Sequence, residues 1–201
     1  VRGVVFMGMG EPFLNYEAAL TAAQIMSEPS GLAIAARAIS FSTAGIVPAI
    51  RRFSAERQPY RLVVSLTSAD PGRRRSIMPG AATYPLDELR DALAGYCAAL
   101  GVRVTLAWVM IAGFNTRDED ARQLADWIGD LPVRIDLIDV NDPDGVFLPP
   151  DEAERNAFRD SLRRRVRAPV ARRYSGGADI GAACGLLAGT VGRGLNRQEA
   201  R

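Results

Sequence analysis

Six apolar runs, separated by stretches of helical periodicity, set the fold class of this chain. They are GVVFMGM (3–9), AISFST (38–43), RLVVSL (61–66), VRVTLAWVMI (102–111), VRIDLIDV (133–140) and a weaker PVARRY (169–174). Their length and their β-branched and aromatic residues suit strands. Helical candidates lie between them at 16–27, 46–56, 85–100, 117–129 and 151–166. Two helices have clear starts. Thr116-Arg117-Asp118-Glu119 reads as a capping box closed by Thr116 and Glu119, and Pro150 with Asp151 puts a proline and an acid at a first turn. A near-continuously apolar strand followed by a helix is a βα unit, because the helix returns the chain to pair in parallel and covers a face. The expectation is therefore α/β with parallel strands, in one domain, since no repeat or low-complexity linker divides the chain. Residues 193–201 read as a flexible tail.

Composition narrows the function classes. With 48% apolar and 24% charged residues over 201 positions, the chain reads as globular. No run of 18 apolar residues occurs, which argues against a membrane span. No signal peptide is visible, so the expected location is the cytosol. Two cysteines and no histidine exclude a disulfide scaffold, a histidine triad and a zinc site built within the chain. Cys97 shares three-to-four spacing with Leu86, Leu89, Leu93 and Leu100 and reads as core; Cys184, in a glycine-rich stretch, has no such explanation. Net charge is only +2, yet arginines cluster at Arg73, Arg74 and Arg75 and again at Arg163, Arg164, Arg165, Arg167, Arg172 and Arg173. Such clusters suit nucleic-acid phosphates, although a basic helix face is more often simply solvated.

In parallel α/β folds ligands meet the carboxyl ends of the strands. That rule selects Gly8, Gly10, Glu11 and Pro12; Ser42, Thr43 and Gly45; Ser65 and Thr67; Asn115; and Asn141 with Asp142. GMGEP is neither a dinucleotide fingerprint nor a P-loop, because the third glycine and any following GK[ST] are missing. Its content is narrower: glycines allow close backbone approach, and Glu11 can accept from an amine or hydroxyls.

Taken in order, VVFMGMGEPFLNY, AISFSTAGIVPAIRR, LVVSLTSADPGRRRSIMP, YPLDELRDAL, VRVTLAWVMIAGFNT and ARRYSGGADIGAACGLL closely resemble the radical S-adenosylmethionine enzymes that methylate C2 of an adenosine in 23S rRNA and some tRNAs. Their C8-methylating resistance relatives are similar too. The resemblance spans roughly residues 3–188. It implies an incomplete parallel (β/α) barrel over residues 1–192, ending in a cysteine loop. It also implies S-adenosylmethionine as cofactor, 23S rRNA and tRNA as partners, and no membrane. By the same resemblance Gly10 and Glu11 engage the amino end of S-adenosylmethionine. Ser42, Ser65 and Asn141 lie near the cofactor, and Cys184 is the methyl-carrying catalytic cysteine.

The family also carries a CxxxCxxC loop holding a [4Fe-4S] cluster. Cys97 and Cys184 cannot supply three thiolates, so this chain is expected not to ligate that cluster. It reads as the carboxyl-terminal part of such an enzyme, inactive alone, with a partner or further segment over its open sheet edge. Thr67 stands where the family has histidine, Asp139-Val140-Asn141-Asp142 where it has Pro-Phe-Asn-Pro, Ala178 and Gly181 where it has acids, and Leu186 where it has glutamine. Two other readings stay open: a cluster-less module that binds RNA or a nucleotide without catalysis, and a radical enzyme with a non-RNA substrate. Anaerobic reconstitution of the chain with iron and sulfide is expected to leave no iron–sulfur absorbance; stoichiometric bound iron and sulfide would refute this.

Overall fold

The computed structural model describes residues 1–7, 10–142 and 145–174. In chain order these form β1 (Val4–Phe6), a 3-10 turn (Pro12–Asn15), α1 (Tyr16–Ser27), β2 (Ile39–Thr43), α2 (Val47–Ala55) and β3 (Arg61–Ser65). There follow α3 (Pro71–Ile77), α4 (Leu86–Leu100), β4 (Val104–Met110), α5 (Asp118–Ile128), β5 (Val133–Asp139), α6 (Glu152–Arg165) and β6 (Val170–Arg173). The strands make one six-stranded sheet in sequential order, every pair parallel. β1 and β6 do not pair with each other, so the sheet is an incomplete (β/α) barrel. Among the described residues no helix is long and apolar enough to cross a membrane.

The period-2 alternation of the strands decides which face is dry. Ile39 and Phe41 of β2, Leu62 and Val64 of β3, Leu106 and Trp108 of β4, and Ile135 and Leu137 of β5 all join one hydrophobic core. Their intervening neighbours Ser42, Val63, Ser65, Thr105, Ala107 and Asp136 point to the opposite face and lie outside that core. Phe41 is the hub of the dry side. Its ring lies 4.6 Å from Phe6, 6.1 Å from Phe13, 5.4 Å from Phe53 and 5.5 Å from Tyr60. It thereby joins β1, the turn after it, α2 and the entry to β3.

Helix ends follow local chemistry, with one correction. Asp151 caps α6 by accepting from Glu154 N at 2.8 Å, and Gly101 ends α4 in a left-handed conformation, φ 66°. The α5 box is not Thr116 with Glu119. Asp120 reaches back to accept from Arg117 N at 3.0 Å, while Thr116 Oγ1 turns to Glu154 and to the Ile111 carbonyl. Glu119 pairs with Arg122. Helix α3 was not anticipated, because PGRRRSI has no apolar periodicity; its one local signal is Asp70, which accepts from Arg73 N at 2.8 Å ahead of Pro71. Cys97 is a buried core residue as expected, and burial raises its thiol pKa. The tail at 193–201 lies outside the described residues. Phe41→Ala is expected to cost about 3–5 kcal/mol in urea unfolding, whereas Leu14→Ala, at an exposed position, should cost less than about 0.5 kcal/mol.

Candidate functional site

The structure gathers the strand-end residues at one pole. Gly10 and Glu11 follow β1, Ser42 is the penultimate residue of β2, Ser65 closes β3, and Asn141 lies two residues past β5. Gly8 and Cys184 lie outside the described residues, so the position of that cysteine is not described. A Cβ on Gly10 would meet nothing within 4 Å among the described residues, so packing against them does not require glycine there. Gly10 and Glu11 border a groove of about 500 Å³ with Val5, Phe6 and Met7, beside the unpaired edge of β1.

Glu11 is held rigidly and only half used. Its Oε1 accepts from Phe13 N at 3.0 Å and its Oε2 from Ala44 N at 2.6 Å. An ionised carboxylate has about four acceptor sites, so capacity remains for a further donor. Ala44 is gripped on its other side as well, because Arg74 Nη2 donates to the Ala44 carbonyl at 2.6 Å. Gly45 makes the close approach possible: its φ is 107°, and a Cβ there would lie 3.3 Å from Arg74 Nη2 and from both δ-carbons of Leu89. Arg74 is 2% exposed, and desolvation brings its guanidinium down to about 10, leaving it cationic at neutral pH. Sequence reasoning missed this brace. Arg74 sat inside an arginine run and Ala44 offered no side-chain chemistry.

The polar residues of this pole divide into spent and unspent groups. Thr43 Oγ1 accepts from Gly45 N at 3.0 Å. Asn115, 0% exposed, donates to the Thr67 and Val109 carbonyls at 2.8 and 2.7 Å and accepts from Ile111 N at 2.8 Å. It is a structural clamp and not a ligand-facing group. Asn115 also steadies Thr67, whose φ of 58° with a Ser68 N to Leu66 O bond of 2.7 Å makes a strained γ-turn. By contrast, the side chains of Ser42, Ser65 and Asn141 have no hydrogen-bond partner among the described residues.

The arginines that cluster in the sequence are used in different ways. Arg74 is buried in the brace, and Arg73 is bound to Asp120 and to the Phe114 carbonyl. Arg165 pairs with Asp118, Arg172 with Asp139, and Arg173 with Asp136. Arg163 donates to the Val170 carbonyl. Arg75, Arg164 and Arg167 are exposed.

Comparison with known proteins gives this geometry a context. No family model matches the chain. A probable RNA methyltransferase of Anaeromyxobacter sp. is 55% identical over 188 residues, which cover 93% of this chain and 56% of that protein. The dual-specificity RNA methyltransferase RlmN of Syntrophobacter fumaroxidans is 37% identical over 193 residues, covering 96% and 56%. A radical SAM methyltransferase from Sphaerobacter thermophilus, solved by crystallography, superposes with a TM-score of 0.88 at 40% identity over 92% of this chain and 55% of that one. Over nearly its whole length the chain is similar to radical SAM RNA methyltransferases. It spans about half the length of the curated relatives it matches. A domain of a pyruvate-formate lyase-activating enzyme from Bacteroides vulgatus, 16% identical with a TM-score of 0.63, shares the fold.

The family's cofactors fare differently here. Half-used Glu11 and the unspent Ser42, Ser65 and Asn141 suit a ligand with an amino group and hydroxyls. A [4Fe-4S] cluster does not fit: the chain has two cysteines, and among the described residues no three His, Cys, Asp or Glu could hold a metal. Arg74→Met should leave the Ala44 carbonyl without its donor and cost about 1–3 kcal/mol of stability, with Arg74→Lys recovering only part because it lacks the fork. Asn115→Ala, which strands three buried backbone groups, should cost about 3 kcal/mol or more in the same urea measurement.

Proposed function

We propose that these 201 residues form the cofactor-gripping part of a methyltransferase that modifies C2 of an adenosine in 23S rRNA and tRNA, and that they do not transfer methyl groups alone. The observation that carries this reading is the Glu11 carboxylate, fixed by two backbone amides at the carboxyl pole with acceptor capacity to spare, in a chain 55% identical to a probable RNA methyltransferase. Glu11 would accept from the amino end of S-adenosylmethionine, a charge-assisted bond, with Gly10 leaving room beside it. Ser42 and Ser65 would offer hydroxyls to the same ligand, and Asn141 an amide. Bound S-adenosylmethionine would supply the methyl group, and Cys184 would carry it to the base. Cluster thiolates must come from outside these residues.

Titration calorimetry of the chain with S-adenosylhomocysteine tests the grip. Glu11→Gln should weaken binding by about 10- to 100-fold, the worth of one hydrogen bond to a charged group, while Asn15→Ala beside it should not. Equal binding by Glu11→Gln would remove the reading. Cys184 is tested by fusing a cluster-bearing segment from a relative: Cys184→Ala should abolish methyl transfer to an rRNA fragment, and Cys97→Ala should lower stability while leaving transfer largely intact. A fusion that binds S-adenosylhomocysteine and RNA yet transfers nothing would favour the non-catalytic binding module, which the cysteine count also supports.

A further inference from the structure

The opposite pole of the sheet carries a different kind of surface. A cleft of about 850 Å³ opens at the amino-terminal ends of the central strands, lined by Arg37, Arg61, Arg103 and Arg134 and by no aspartate or glutamate. Arg37 precedes β2, Arg61 begins β3, Arg103 immediately precedes β4, and Arg134 is the second residue of β5. All four are exposed. Among the described residues the side chains of Arg37, Arg61 and Arg103 have no hydrogen bond or ion pair, while Arg134 is paired with Asp136 at 2.7 Å.

Arg52, Arg90, Arg122, Arg155, Arg159 and Arg172 elsewhere on the described surface are each neutralised by a carboxylate, whereas no carboxylate lines this cleft. A second cleft of about 570 Å³ shares Arg103 with the first and adds Arg165 and Arg167. Arg37, Arg61 and Arg103 thus form an unneutralised band across neighbouring strand starts, about 5 Å apart per strand at the backbone, with the paired Arg134 and Arg165 beside it.

We propose that this band is a docking track for the phosphate backbone of RNA, remote from the reacting pole. Guanidinium forks match phosphate oxygens two at a time, and a line of them suits a chain of anions better than one small anion. A protein partner would look for aromatic or aliphatic anchors, and the cleft offers none: Tyr60 and Tyr96 are buried, and Val102 is its one exposed large apolar residue. The same burial removes any stacking platform for bases, so the track reads no sequence. It rests on the RNA reading above and adds where the backbone is held.

The test is fluorescence anisotropy of a labelled uridine homopolymer bound to the chain across a salt series. Contacts from the three unpaired arginines should give a log–log slope of about −2, at roughly 0.7 per neutralised phosphate of a single strand. Arg61→Gln with Arg103→Gln should reduce that slope by about 1.4 and weaken binding equally for uridine and adenosine homopolymers. Arg122→Gln, also exposed but paired, should change neither. All four side chains are surface groups, and thermal melts matching the parent chain confirm folding. An unchanged slope in the double variant overturns the track, and so does polyglutamate that displaces the RNA as well as a matched polynucleotide does. S-adenosylhomocysteine binding with an unaltered RNA slope defeats this inference alone. RNA binding with the expected slope but no S-adenosylhomocysteine binding defeats the proposed function alone.

Discussion

Each central strand of this sheet sends alternate residues into a single dry core, and the rest of the molecule depends on that one-sided burial. Phe41, Leu62, Val64, Leu106, Trp108, Ile135 and Leu137 are all about as buried as side chains can be, each contributing about 1.5–3 kcal/mol of apolar burial. A slip of one residue in any pairing would exchange that set for Ser42, Ser65, Thr105 and Asp136. Register is therefore strongly specified, and with it the level at which each strand ends. The polar carboxyl pole is a by-product of this constraint: five strands that must stop in register deliver their final polar residues to one end.

At that end, hydrogen-bond bookkeeping separates scaffold from site. Thr43, Asn115 and Thr116 sit at strand ends like any candidate ligand group, but their polar atoms are consumed by nearby backbone. What remains available is Glu11 in part and Ser42, Ser65 and Asn141. The Ala44 peptide links the two categories. Its amide orients the carboxylate and its carbonyl is held by the buried Arg74, so the direction in which Glu11 presents its free lone pairs is coupled to the seating of α3.

The two poles also divide the charge. Arginines near the carboxyl pole are drawn inward or paired, as Arg73, Arg74 and Arg172 are. At the strand starts Arg37, Arg61 and Arg103 keep their charge for solvent, while Arg134 is paired with Asp136. A net charge of +2 conceals this asymmetry, which only the pattern of ion pairs reveals. In the run at 73–75, Arg73 and Arg74 are structural and Arg75 is exposed, while Arg37, Arg61 and Arg103, scattered singly in the sequence, come together in one cleft.

Local sequence was sufficient for the parallel α/β class, for all six strands, and for the five longer helices, because each of those signals is a periodicity that a short window contains. It also sufficed for Cys97 as core, since leucine spacing on α4 already marks the buried face. The family resemblance, six ordered motifs long, pointed to the residues at the carboxyl pole. Helix α3, the shifted cap on α5, the clamp role of Asn115 and the Arg74–Ala44–Glu11 brace were not legible, because each depends on partners 30 or more positions away or on competition among equivalent local bonds. Asp120 won the α5 cap because Thr116 found a better partner in Glu154, 38 positions later. A polar side chain near a strand end can be recognised from sequence; whether its hydrogen bonds are already spent is decided only when the chain has folded around it.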